Sequence, residues 1–242
     1  MEVSILLLDK IDFHIHPWEK ENQIEAFLRE YARRGYAQIA LTDHYEFSFA
    51  DPERFAKERE HVEKLREQFG LKMKVFISSE VACLDDTGRL ESDEHPYALK
   101  DLDYISVAPH HYSKEQFLAL GDSWAEHAQE MLLALVRRPD VKVILHPFVH
   151  IHDHLDWEGE YMKHITRSFL SEFARLAKKN EKVVEVHRHM TYHFRPLVEE
   201  LIRHQVRLVV GSDAHSLSEI DDSKTAVALI KSIDEDYPFV GF

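Results

Sequence analysis

The chain has 242 residues, 44% of them hydrophobic, with 30 basic and 44 acidic side chains and a formal net charge of −14. That length and apolar content suit one fully cored α/β domain over 1–242, and the acidic balance argues against extended nucleic-acid binding. A single cysteine, Cys83, excludes a disulfide framework, and the apolar run at 5–8 is too short for a signal-peptide core or a membrane span, so the expectation is a soluble, cytoplasmic protein.

The first element, KIDFHIH at 10–16, reads as a strand. A helix follows, with Ile24, Phe27, Leu28, Tyr31 and Ala32 on one stripe and Gly35 as its C′ residue. AQIALTDH is a buried strand, and Asp51-Pro52 predicts the N-cap and first position of a helix carrying Phe55, Val62, Leu65 and Phe69 up to Gly70. KVFISSEVA is the third strand, followed by an irregular stretch to about residue 100. DYISVAPHHY and VKVILHPF are strands, with a helical region from Lys114 to Arg138 between them. A His-rich loop leads to a helix around 160–179. KVVEVHRH is a strand followed by a helix near Pro196, and VRLVVGSDAH is a strand followed by a helix near 218–232.

These are seven β–α units whose apolar runs are continuous rather than alternating, as parallel strands covered by helices require. No Gly-rich phosphate loop follows the first strand, which weighs against a nucleotide-binding open sheet. Metal-competent residues close six of the runs: His14 and His16, Asp43 and His44, Glu80, His110 and His111, His146, and Asp213 with His215. The sixth strand adds Glu185, His187 and His189. In a barrel, strand ends converge on one mouth, whereas an open sheet spreads them along an edge, so the distribution favours a barrel. His14 and His16 stand i, i+2 on a strand and face the same way, and Asp213 with His215 repeat the spacing. Pro17 and Pro147 bias His16 and His146 to extended backbone. Asp12 and Asp43 suit a supporting role, since metal-bound imidazoles need an acceptor for their other N–H.

The motifs DFHIH, LTDH, SSE, SVAPH, LHP and GSDAH, in this order from about residue 12 to 215, resemble those of the PHP (polymerase and histidinol phosphatase) superfamily. The resemblance implies a distorted (β/α)7 TIM-like barrel, two or three divalent ions (Zn, Mn or Fe) and phosphoester hydrolysis. It implies His14, His16 and Asp213 as ligands of a first ion and Glu80 as a bridge to a second. His110 and His146 would complete that second ion, and His44 and His215 would serve a third. His110 is preferred to His111 because it keeps the family's distance from Asp103. One departure is that relatives carry a further ligand shortly after the HxH pair, where this chain reads PWEKENQ with only Glu19 or Glu21 to replace it.

Ligand sets of His and carboxylate without thiolate fit Zn, Mn or Fe better than Mg or Ca. The expected reaction is hydrolysis of a small phosphomonoester, of the histidinol phosphate, nucleotide or sugar phosphate class. Asp213 would orient the attacking hydroxide, His215 would assist the leaving oxygen, and Arg188 would clamp the phosphate, with Arg195 as second choice. His150, His152 and His154 are expected in a loop at the mouth, and His187, His189 and His193 as possible substrate contacts. His61, His95, His127, His164 and His204 are expected to be structural or surface residues. Two other readings are a TatD-like or amidohydrolase-type enzyme, though no lysine stands where many amidohydrolases carry a bridging one, and a non-catalytic metal-binding module.

Overall fold

The structure is a computed structural model that describes residues 8–17, 23–49, 51–109, 118–148, 164–190, 192–238 and 240–242. Its strands are β1 Ile11–Ile15, β2 Gln38–Leu41, β3 Lys74–Ile77, β4 Glu80–Cys83, β5 Ile105–Pro109, β6 Val141–Ile144, β7 Val183–His187 and β8 Arg207–Gly211. The helices are α1 Gln23–Arg33, α2 Arg54–Phe69, a single turn α3 Glu91–Glu94, α4 Trp124–Arg137, α5 Arg167–Lys179, α6 Arg195–Arg203 and α7 Lys224–Ile233. β1, β2, β5 and β7 are buried on both faces, as strands wrapped by helices must be.

Every strand pairing is parallel, in the orders β1-β2-β3 and β4-β5-β6-β7-β8. The two sheets meet at both ends. The run KVFISSEVA is broken at Ser78-Ser79, so its first half pairs with β2 and its second with β5. The serines make the switch possible by bonding sideways. Ser78 Oγ donates to the Tyr104 carbonyl at 3.0 Å, and Ser79 Oγ donates to the Asp43 carbonyl at 2.7 Å. On the other side, Asp213 N donates to the His14 carbonyl at 2.8 Å and His16 N to the Ala214 carbonyl at 2.9 Å. The strand runs therefore follow one another around a ring whose β8–β1 seam is held by isolated bonds rather than a ladder. This is a distorted (β/α)7 barrel.

Four helix ends, those of α1, α2, α5 and α6, follow one pattern. After α1, Tyr36 N donates to the Tyr31 carbonyl and Gly35 N to the Ala32 carbonyl, both at 3.0 Å, with Gly35 at φ 74°. This paired arrangement satisfies the orphan carbonyls of the last turn and needs a left-handed residue. Gly70 supplies one after α2, whereas α5 and α6 place Glu181 (φ 53°) and Gln205 (φ 55°) there. Basic side chains cap further carbonyls at this basal end: Lys10 on Arg34, Lys142 on Glu181 and Lys178 on Gln205.

Three helix starts lie later than the sequence suggests. α5, expected from about 160, begins at Arg167, because the Thr166 side chain caps it there by accepting Phe169 N at 3.2 Å. α2 begins at Arg54, because Asp51 caps a preceding turn, accepting Glu53 N on its side chain at 3.2 Å and Arg54 N on its carbonyl at 3.0 Å. α7 begins at Lys224, because Leu217–Glu219 form a 3-10 turn whose Glu219 reaches back to His215 N at 2.8 Å. The expected helical region from Lys114 contains α4, and its first residues, to 117, lie outside those described. No helix among the described residues is long and apolar enough to cross a membrane.

Candidate metal centre

β1 carries Ile11, Phe13 and Ile15 on one face and Asp12 and His14 on the other, with His16 continuing the second face. Phe13 packs on Phe76 and Phe242, with ring centroids 5.5 and 5.3 Å apart, and this fixes the strand's rotation. The two imidazoles then meet Glu80 from the β3–β4 break and Asp213 from the end of β8. His14 Nε2 lies 3.4 Å from Glu80 Oε2 and 3.6 Å from Asp213 Oδ1. His16 Nε2 lies 3.5 and 3.1 Å from the same two oxygens. A tetrahedron of N and O ligands about 2.0–2.2 Å from a central ion has edges of roughly 3.3–3.6 Å, so these spacings fit one cation at the centre. Neither Nε2 makes a hydrogen bond, although both histidines are buried.

Glu80 faces two ways. Its Oε2 also lies 3.3 Å from His44 Nδ1, while Oε1 lies 2.8 Å from His146 Nε2. A second group of candidate ligand atoms is thus His14, Glu80 and His146, and a third is His16, His44 and His215. His215 Nδ1 is 2.9 Å from the Asp213 carbonyl, which can only accept, so the proton sits on Nδ1 and Nε2 presents its lone pair. Asp213 (φ 54°) and His146 (φ 24°) depart from ordinary backbone, a strain that the surrounding contacts must hold.

β7 completes the site with Glu185, which the motif reading left without a role, and His187, which it expected as a substrate contact. Glu185 is fully buried, with Oε1 3.1 Å from His14 Nδ1 and Oε2 accepting His146 N at 2.6 Å. His187, also fully buried, accepts His189 N on Nδ1 at 3.2 Å, and its Nε2 lies 3.5 Å from Asp213 Oδ2. The signal was legible as the i, i+2 alternation of Glu185 and His187, the same spacing as in β1. Arg188 reaches the site's edge, with NH2 4.0 Å from Asp213 Oδ2 and NH1 3.1 Å from Asp222 Oδ2.

The electrostatics ask for positive charge. Burial works against a charged His14, but Glu185, Asp213 and Glu80 around it hold its pKa well above the usual histidine range. Burial likewise works against ionised Glu80 and Asp213, yet the histidines hold both carboxyls well below their usual range. Burial pushes His16 down, and His187 down to about 4. The carboxylates stay ionised, and a proton on His14 supplies positive charge that a bound cation would otherwise bring. The donor set therefore fits a divalent metal ion.

The structure thus brings together His14, His16, His44, Glu80, His146, Asp213, His215 and Arg188. His110, Glu19, Glu21, His150, His152 and His154 lie outside the described residues. Asp12 touches no imidazole and instead accepts Tyr31 Oη at 2.7 Å and Ser212 N at 3.0 Å. Asp43 lies 3.5 Å from Arg54 NH2, on the far side of its strand from His44. Arg195 pairs with Glu199 and Ser232 on helix surfaces. His61, His95, His127, His164 and His204 join none of the candidate metal groups found among the described residues.

No protein-family model matches the sequence, and no curated protein matches it. Solved structures do match. A histidinol phosphate phosphatase (HisK) from Lactococcus lactis subsp. lactis Il1403, solved with Zn, L-histidinol and phosphate, superposes with a TM-score of 0.62 at 16% identity over 93% of this chain and 94% of that one. A Listeria monocytogenes chain described as histidinol phosphatase HisK gives a TM-score of 0.55 at 15% identity over 87% of this chain and 97% of that one. This chain has the fold of these proteins, the fold that the PHP resemblance implies.

Proposed function

We propose that the protein is a metal-dependent phosphoesterase acting on a small phosphomonoester. The observation that carries the reading is the convergence of His14 Nε2, His16 Nε2, Glu80 Oε2 and Asp213 Oδ1, at 3.1–3.6 Å from nitrogen to oxygen, at the mouth of a barrel shared with histidinol phosphatases. These four residues would hold the first ion. Glu80 and His146 would help to hold a second, to which the motif resemblance adds His110, and His16, His44 and His215 would hold a third. Bound divalent ions would supply positive charge for the phosphoryl oxygens and make water acidic enough to attack near neutral pH.

The chain's own residues do the rest. Asp213 is held in place by its backbone bond to β1 and orients the attacking water through a carboxylate oxygen. Arg188, aimed by Asp222, binds the phosphate oxygens. His215, 36% exposed where His14 and His16 are buried, lies on the solvent side of the group and would assist the leaving oxygen through the third ion that its Nε2 helps to hold, while its Nδ1 proton stays on the Asp213 carbonyl. Histidinol phosphate, the substrate class named by the structural neighbours, heads the panel to test.

The test strips the protein of metal, reloads it separately with Zn, Mn and Fe, and measures phosphate release from histidinol phosphate, nucleotides, sugar phosphates and one phosphodiester. Metal-dependent monoester turnover is expected, with His14→Ala losing at least about 100-fold in kcat/KM, or roughly 2.7 kcal/mol. Turnover of the diester alone, or full activity of His14→Ala, overturns the assignment.

A further inference from the structure

Glu185 is a charged side chain with no exposed surface, and it lies where a carboxylate is costly unless every oxygen is used. Both oxygens are used, and on different strands. Oε1 accepts His14 Nδ1 of β1 at 3.1 Å, and Oε2 accepts the backbone N–H of His146, just past β6, at 2.6 Å. Those strands are not neighbours, because the order around the ring runs β6, β7, β8, β1. To reach His14, the side chain of β7 must cross β8, and it does so over Gly211. A Cβ at Gly211 would stand 1.8 Å from Glu185 Oε1 and 2.6 Å from His14 Cβ. Only glycine leaves the passage open.

An ionised carboxylate can only accept, so the proton of a neutral His14 sits on Nδ1 and the lone pair on Nε2. Nε2 is the atom that faces Glu80 and Asp213. Resting on the metal assignment above, we infer that Glu185 is a positioning residue that sets two metal-site histidines at once. It fixes the tautomer and ring orientation of His14, and it anchors the backbone from which His146 reaches Glu80. Gly211 is part of the same device. His14, Glu185 and His187 also form a fourth group of candidate ligand atoms, so a ligand role for Glu185 is the alternative that the test below separates.

The test measures Zn affinity and stoichiometry by competition with a chromophoric chelator, on folded protein well below its unfolding temperature. It compares wild type with Glu185→Gln and Gly211→Ala. Gln keeps the shape but cannot accept at both positions, so the expected result is unchanged stoichiometry with Zn bound about 10–100-fold more weakly. Gly211→Ala should weaken binding similarly although Glu185 remains. A merely structural role would lower the unfolding temperature and leave the Kd of folded protein unchanged, which overturns the inference. So does the loss of one ion with the others bound as before, since Glu185 would then be a ligand. If neither variant folds, imidazole nitrogen–proton correlation spectra of Zn-loaded wild type decide the matter: a proton on His14 Nδ1 supports the inference, and one on Nε2 overturns it. Wild type that binds no Zn overturns the metal assignment and the inference together.

Discussion

Glu58 on α2 is a second buried carboxyl, without the partners that Glu185 has. It is 1% exposed, and neither oxygen is hydrogen-bonded. Burial pushes its pKa well above the usual carboxylate range, Asp43 pushes it further, and Arg54 and Arg59 offset only part. A carboxyl whose folded pKa exceeds its unfolded value leaves the folded state holding more protons. Stability therefore falls as pH rises from the unfolded value through the folded one. Glu58→Gln removes that slope. The variant should unfold at a higher temperature than wild type at pH 8, with a smaller gap at pH 5, as thermal melts across this range would read. A gap that does not widen with pH shows that Glu58 is not held protonated by the fold. The burial of Glu58 is legible in the sequence, because it lies three residues after Phe55 and four before Val62 on the apolar stripe of α2, off which Glu60 and Glu63 fall; only packing shows that it lacks a hydrogen-bond partner there.

Elements were more legible. The apolar stripe of α1 and the glycines after α1 and α2 mark those helices because periodicity and left-handed backbone are local properties. The strand ends pointed to the metal centre for the same reason: His14 and His16 share a face by spacing alone. The break in KVFISSEVA was hidden, since Ser78 and Ser79 act through bonds to distant residues. Glu185 was visible as a candidate but not as a support, because its role depends on a glycine across the next strand. The ends of α5 and α6 carry the same terminal motif without its glycine, and this gives a test. Gln205 at φ 55° pays a left-handed cost that glycine does not. Gln205→Gly should stabilise the protein by about 1 kcal/mol and raise Tm by roughly 2–4 °C. Since Lys178 bonds the residue's carbonyl and not its side chain, that contact survives the change. A lowered Tm would show that the Gln205 side chain contributes more than its backbone costs.

At the scale of the whole molecule, the ring and the candidate metal centre depend on each other. Seven strand runs close into a barrel, but the β8–β1 seam has only isolated backbone bonds, Asp213 N to His14 and His16 N to Ala214. The candidate first ion would sit across that seam, with Asp213 on one side and His14 and His16 on the other. Metal binding should therefore act as a clasp at the weakest join, and its removal should be felt there first. A ligand present at a hundred times its Kd adds about 2.7 kcal/mol to stability. At roughly 2–4 °C per kcal/mol for a chain of this size, the metal-free protein should melt on the order of 5–11 °C lower. Hydrogen exchange locates the effect. Stripping the metal should speed exchange at the amides of His16 and Asp213 far more than at those of the β2–β3 ladder, on which no candidate ligand lies. Uniform acceleration would mean that metal stabilises the fold only globally. Unchanged exchange at the seam would mean that the ion does not bind across it, and the ligand assignment of Asp213 with His14 and His16 would fall.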